Sequence, residues 1–263
     1  MKDKGQNTLP ADVYLSFVSS LYGNRQTLFV GVISHVITFS FVYAKTDDPF
    51  FLVWSALVVL IWALRAQGMR RFDRADKTVL DMDGIRYWEN WYNLGAVGTT
   101  LALGTACGYS LLVSRDSFAE IATISVTLAT MVSVVGRNYG SPRAVNYMVF
   151  SACFPIVVGF LGLGDFYHAV LASLVLPFAM TTRSMANGVR TFLYENVLAA
   201  RELATIADRF DTALNNMPHG LFMLDSEHRI LVANRRACEL LHLGNQERLK
   251  DCHLDVVLRF GVR

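Results

Sequence analysis

Apolar and polar positions alternate in long blocks along this chain. Six mostly apolar stretches lie between Thr27 and Met185, and a more polar segment follows them. A helix that crosses a bilayer needs about 20 predominantly apolar residues. On that measure spans are predicted at residues 27–44, 49–64, 94–113, 117–135, 144–163 and 166–185. Asp48 is placed to cap the second span, with Pro49 in its first turn. Ser117 and Glu120 have the capping-box spacing at the start of the fourth. Ahead of the first span, Val13, Tyr14, Phe17, Val18 and Leu21 share one helical face. That face suits a helix lying in the membrane interface, or a plain lead-in to span one.

Charge adds an orientation. Lys2, Lys4 and Arg25 precede span one. Arg65, Arg70, Arg71, Arg74, Lys77 and Arg86 lie between spans two and three, and Arg137 and Arg143 between four and five. The intervening loops hold Lys45, Arg115 and, after span five, no basic residue. Every second loop is basic, so both termini are predicted on the cytoplasmic side. Residues 1–26 contain no small-residue cleavage site and are expected to stay as a cytoplasmic or interfacial segment. The loop over 65–92 is the long one. Ile85, Trp88, Trp91 and Tyr92 within it predict an interfacial helix with an aromatic anchor.

Composition agrees with this division. Apolar residues make up 53% and charged residues 17%, against about 25% charged in a soluble domain. The net charge of +2 comes with no basic stripe, which excludes nucleic acid as a partner. Cys107 and Cys153 fall in spans, Cys238 and Cys252 in the tail. None has a metal-finger spacing, so four free thiols and no metal site are expected.

Small residues mark packing faces. Gly104 and Gly108 form a GxxxG in span three; the reading is close helix packing, or else a dimer face or polar pocket. Pro155 and Pro177 predict kinks in spans five and six. His35 is the ionisable group placed deep in a span, with Ser34 and Thr38 near it in sequence. These three are the candidate sensing residues. The alternative for His35 is a structural histidine bonded to a neighbouring hydroxyl or carbonyl. No acidic pair or Asp/Lys relay runs through the spans, which argues against a proton-coupled transporter.

From Met185 to Leu214 the chain has no proline. Val189, Asn196, Leu203 and Phe210 recur every seventh residue, and Phe192, Ala199, Ile206 and Ala213 repeat three residues on. This a/d pattern predicts a coiled-coil linker over 186–214 in a homodimer, with Asn196 setting register. An amphipathic helix packed on its own domain is the other reading.

After Pro218 two short strands flank the turn Asp225-Ser226-Glu227-His228, and Asn234 caps a helix through Leu241 that stops at Gly244-Asn245. Another helical piece is expected over 249–257. So few residues after the linker cannot build a full core, and the tail over 210–263 is expected to be the incomplete start of a domain. The fold class is therefore mainly α: a six-helix transmembrane bundle over 27–185, a linking coiled-coil helix and a truncated α+β domain.

The run from Phe210 to Asn234 resembles the opening of a PAS sensor domain. A lead helix, Asn216-Met217, the strand at Gly220, Asp225 at the turn, the basic Arg229 and Asn234 before the next helix all stand where that family has them. It is most similar to the PAS domains of bacterial membrane-bound diguanylate cyclases and phosphodiesterases with GGDEF or EAL domains. The resemblance implies a multi-pass inner-membrane receptor whose output domain produces or degrades cyclic-di-GMP. This chain holds no GGDEF or EAL motif, so no catalytic residue carries over, and the chain itself is expected not to be an enzyme. An input module of a sensor histidine kinase is the second reading, and a transporter-like bundle with a regulatory tail the third. PAS domains can hold haem, flavin or small acids, but His219, His228, His242 and His253 follow no ligand motif. No cofactor is predicted. Membrane lipid and a small hydrophobic ligand are the expected partners, besides a second copy of the chain.

Overall fold

Among the described residues, six helices are long and apolar enough to cross a membrane. The computed structural model describes residues 11–23, 25–77, 79–240 and 252–261. The chain divides into two compact units, Met1–Phe192 and Leu193–Arg263.

The first unit opens with α1 (Ala11–Gly23) and continues through α2 (Arg25–Thr46), α3 (Pro49–Arg74) and α4 (Met82–Tyr109). A π-helical turn (Ser110–Ser114) extends α4; α5 (Ser117–Arg137), α6 (Pro142–Gly162) and the start of α7 (Phe166–Asn215) follow. Capping side chains set several helix starts. Asp48 Oδ1 accepts from Phe50 N at 2.9 Å, and Pro49 fills the first turn. Asp81 accepts from Gly84 N at 2.8 Å to start α4. Ser141 accepts from Ala144 N at 3.1 Å to start α6. At α5 the cap is Asp116, which accepts from Phe118 N and Ala119 N, both at 3.0 Å. The expected Ser117–Glu120 capping box therefore does not form: Ser117 is already helical. A carboxylate one residue earlier is a strong acceptor for the same free amides.

Left-handed residues follow three helical segments: Asp47 (φ 52°), Arg115 (φ 49°) and Gly164 (φ 77°). A residue in this conformation stops a helix by turning the chain out of its axis. All three lie in the connections that the basic-loop pattern assigns to the outer side.

The long 65–92 loop is not a loop. Arg65, Arg70, Arg71 and Arg74 lie within α3, and Arg86 lies in α4, leaving residues 75–81 as the connection. The separate aromatic-anchored helix is the first part of α4. Ile85 and Tyr92 are buried in the bundle rather than at an interface, and Trp91 stays exposed.

Helices α4 and α6 form the centre. Gly104 and Gly108 let them meet backbone to backbone: a Cβ at Gly104 would sit 2.5 Å from Ala152 O, and one at Gly108 3.0 Å from Pro155 O. Thr100 Oγ1 and Ser151 Oγ bond across the same contact at 2.6 Å. The predicted apolar face of α1 is buried in the bundle. Tyr22 stacks on Phe72 with centroids 4.1 Å apart and meets Trp88 and Tyr92 edge-on. Pro155 and Pro177 lie inside α6 and α7. Large apolar side chains point outward from the helices, among them Phe29, Val30 and Phe41 on α2 and Phe150 and Phe154 on α6. This is consistent with a multi-pass membrane protein.

The second unit continues along α7 and then carries β1 (Phe222–Leu224), β2 (Ile230–Ala233), α8 (Arg235–Leu240) and α9 (Leu254–Gly261). The strands pair antiparallel, Phe222 opposite Ala233 and Leu224 opposite Ile230, with an irregularity after Met223. Ile230, Cys238 and Val257 form a small core. The expected stop at Gly244-Asn245 and the start at Leu249 lie outside the described residues, as do His242 and the N-terminal lysines. The described helix begins at Leu254.

Candidate functional site

His35 lies in the middle third of α2 and is 4% exposed. Its Nε2 is 2.9 Å from Thr130 Oγ1 on α5. Thr130 donates its own proton to Val126 O at 2.8 Å. Its oxygen therefore accepts, and His35 Nε2 carries the hydrogen. His35 Nδ1 is buried with no partner.

His35 lines a partly open pocket of about 70 Å³ between α2, α3, α4, α5 and α6. Arg65 and Arg137 also line it, with Thr99, Asn138 and apolar surface from Val58 and Trp62. Arg65 Nη1 donates to Thr99 Oγ1 at 3.2 Å. Its Nε and Nη2 are buried and make no hydrogen bond of good geometry, the Tyr92 side chain being the group they face. Arg137 donates from Nε and Nη2 to Tyr92 Oη at 3.1 and 2.9 Å. Tyr92 in turn donates to Asn138 Oδ1 at 2.6 Å. The Tyr92 ring lies near both guanidiniums, its centroid 5.3 Å from Arg65 Cζ and 5.9 Å from Arg137 Cζ. Among the described residues, no carboxylate pairs with either arginine.

Ser34 and Thr38, expected beside His35, belong elsewhere. Ser34 Oγ donates to Val30 O and Thr38 Oγ1 to Ser34 O, each back onto its own helix. Both lie outside the pocket that holds His35. Ser34 is the adjacent residue and points about 100° around the helix from His35, while Thr38 lies almost one turn farther along, where it lines a separate groove with Ile37 and Phe41. The residues that do meet His35 come from other helices. Arg65 reads as a loop charge in the sequence; the available signal was that no breaker separates it from Leu64.

A second buried polar cluster joins α1, α4 and α6. Glu89 is wholly buried and accepts from the hydroxyls of Tyr14 and Ser141.

Along the second half of α7 the heptad residues stand open. Phe192, Leu203, Ile206 and Phe210 are 64%, 67%, 55% and 55% exposed. Asn196 is exposed as well, and Val189 is half-buried.

In the tail, Asp225 closes the hairpin: its Oδ1 accepts from Glu227 N at 2.9 Å and Arg229 N at 2.8 Å. His228 takes the left-handed conformation that the turn needs, with φ 60°. Arg229 pairs back to His253 as an isolated bridge. Asn234 is 1% exposed and uses both ends of its amide. It donates to Leu214 O and His219 O, and accepts from Leu221 N and Ala237 N, all within 2.9 Å. Asn216 and Met217 lie at the exit of α7, where Asn216 N donates to Thr212 O at 3.1 Å. Gly220 passes Ala237 so closely that a Cβ would lie 2.9 Å from its Cα.

Residues 208–260 match the PAS domain family model. The hairpin and its short helices fit part of a PAS fold, and the match suggests a sensor role in signalling. No curated protein matches the chain, and no solved structure does.

Proposed function

We infer that this chain is the membrane-embedded sensory input module of a bacterial receptor. A signal received in the unit that holds the six predicted spans passes along α7 to the PAS domain. From there it reaches an output domain, a diguanylate cyclase or a cyclic-di-GMP phosphodiesterase. A sensor histidine kinase is the alternative output. The observation that carries the reading is α7: one unbroken helix links a predicted last span to the PAS match and carries a heptad stripe of exposed apolar side chains. Such a stripe is buried in a parallel pair of helices. A paired helix can pass a small rotation or shift from one domain to the next. The alternating basic loops support termini on the cytoplasmic side of the inner membrane.

Two measurements test this. Disulfide cross-linking in native membranes places cysteine at Leu203, on the stripe, and at Arg201, off it. Strong dimer formation through L203C and weak formation through R201C supports the paired helix; equal yields reject it. The coding sequence beyond Arg263 tests the output: a GGDEF or EAL motif supports cyclic-di-GMP, and a kinase dimerisation box supports the alternative.

A further inference from the structure

His35, Arg65 and Arg137 bring three basic side chains to one pocket. A guanidinium inside a bundle is costly unless its donors are met. Arg65 has two donor nitrogens, Nε and Nη2, that are buried with no hydrogen bond of good geometry, the Tyr92 hydroxyl that they face being already shared with Arg137. A nearby Arg137 adds positive charge around the same Tyr92 ring, and among the described residues no carboxylate offsets it. At another point on the pocket wall, His35 Nδ1 is buried and unmet as an acceptor, because Nε2 holds the proton toward Thr130. These donors and this acceptor belong to residues that line one pocket, and together they describe a complement. It has an oxyanion for Arg65 and a hydroxyl or similar donor for His35. A planar carboxylate fits a guanidinium fork. The volume of about 70 Å³ admits a head group of a few heavy atoms.

The geometry points to a binding site for a hydroxycarboxylate, either a free small acid or the head of an acyl chain. Arg65 holds the carboxylate, Arg137 adds to the positive field, and His35 accepts from the hydroxyl. The site would serve as the sensing locus of the receptor reading, but it stands on its own wall chemistry and is tested by binding alone.

The test is equilibrium binding of radiolabelled 3-hydroxybutyrate and 3-hydroxymyristate to the purified full chain in phosphatidylcholine nanodiscs. The expected result is saturable binding of at least one acid. Short-acid binding assigns a soluble source, and binding restricted to the long acid assigns a lipid-borne one. R65Q is expected to weaken binding at least tenfold, while R70Q, at an exposed arginine of the same helix, leaves it unchanged. G31V adds three carbons to the α2 side of the pocket while keeping both arginines, and there is room for them to start, since a Cβ at Gly31 meets nothing nearer than His35 Cε1 at 4.0 Å. It should abolish binding, and it decides the matter alone if R65Q does not yield monodisperse protein. Absence of saturable binding of either acid, or binding that survives R65Q or G31V, overturns the site. Either result leaves the relay through α7 standing, because cross-linking of the linker does not depend on it.

Discussion

The Tyr14 hydroxyl of α1 donates to the Glu89 carboxylate of α4, and Ser141 at the head of α6 donates to the other oxygen of that carboxylate. One wholly buried side chain thus ties three helices together. Glu89→Ala would leave both hydroxyls unmet and open a cavity, a loss of about 2–4 kcal/mol. Glu89→Gln keeps the shape and one acceptor, so a smaller loss of about 1 kcal/mol is expected. Thermal unfolding of the detergent-solubilised chain should rank wild type above E89Q and E89A lowest. Equal midpoints for the three proteins would refute the role of this carboxylate.

That bond also gives stability a pH dependence. Burial, then the bond to Glu89, raise the Tyr14 hydroxyl above its ordinary value, which is about 10. Tyr22 is raised too, by burial first and then by Tyr92. The folded chain therefore keeps these protons where the unfolded chain loses them. Their contribution is complete below about pH 10 and is lost as pH rises beyond it. Y14F removes one of the two groups, so its unfolding midpoint should fall less steeply on the alkaline side. An alkaline slope identical to wild type would show that Tyr14 titrates alike in both states.

Gly104 meets backbone, not a movable side chain. A Cβ there lies 2.5 Å from Ala152 O and 2.9 Å from Ser151 O, so Gly104→Ala must push α4 and α6 apart. A cost of about 2 kcal/mol is expected, typical of overpacking. Gly136 has nothing within 4 Å. Gly136→Ala should be neutral or stabilise by up to about 1 kcal/mol, because alanine favours the helix. The midpoint difference between the two variants checks this; similar midpoints would remove the close contact from the account.

Features set by local sequence were legible before the structure. Asp48 and Pro49 start α3 as their order implies, and Gly104 and Gly108 pack closely as their spacing suggests. The hairpin around Asp225 and the place of Asn234 were also local signals. Helix ends were harder, because hydropathy falls before the helix does. The residues from Arg65 to Arg74 include good helix formers, and α3 continues through them although their charges imitate a loop. The pocket was least legible. His35 stood out as an ionisable group in an apolar run, but its partner Thr130 is 95 residues away. Arg65, Tyr92 and Arg137 converge through helix packing, which no short window of sequence records.

Asn234 gives the most direct test of the tail. It is buried, and each of its amide hydrogen bonds goes to a backbone group that has to turn: the end of α7, the approach to β1 and the first turn of α8. Asn234→Asp keeps both accepted bonds and loses both donated ones, leaving a carboxylate near two carbonyls. Asn234→Ala loses all four. Buried backbone groups left without partners cost about 1–3 kcal/mol each, against the few kcal/mol that a small core such as Ile230, Cys238 and Val257 supplies. Both variants should therefore open the hairpin, while Leu231→Ala, at an exposed strand position, should not. Limited proteolysis of the full chain reads this directly. Rapid cleavage after Leu214 in N234A and N234D, with the first unit intact, is the expected pattern. Wild-type resistance in N234A would mean that the hairpin is held by its apolar contacts instead.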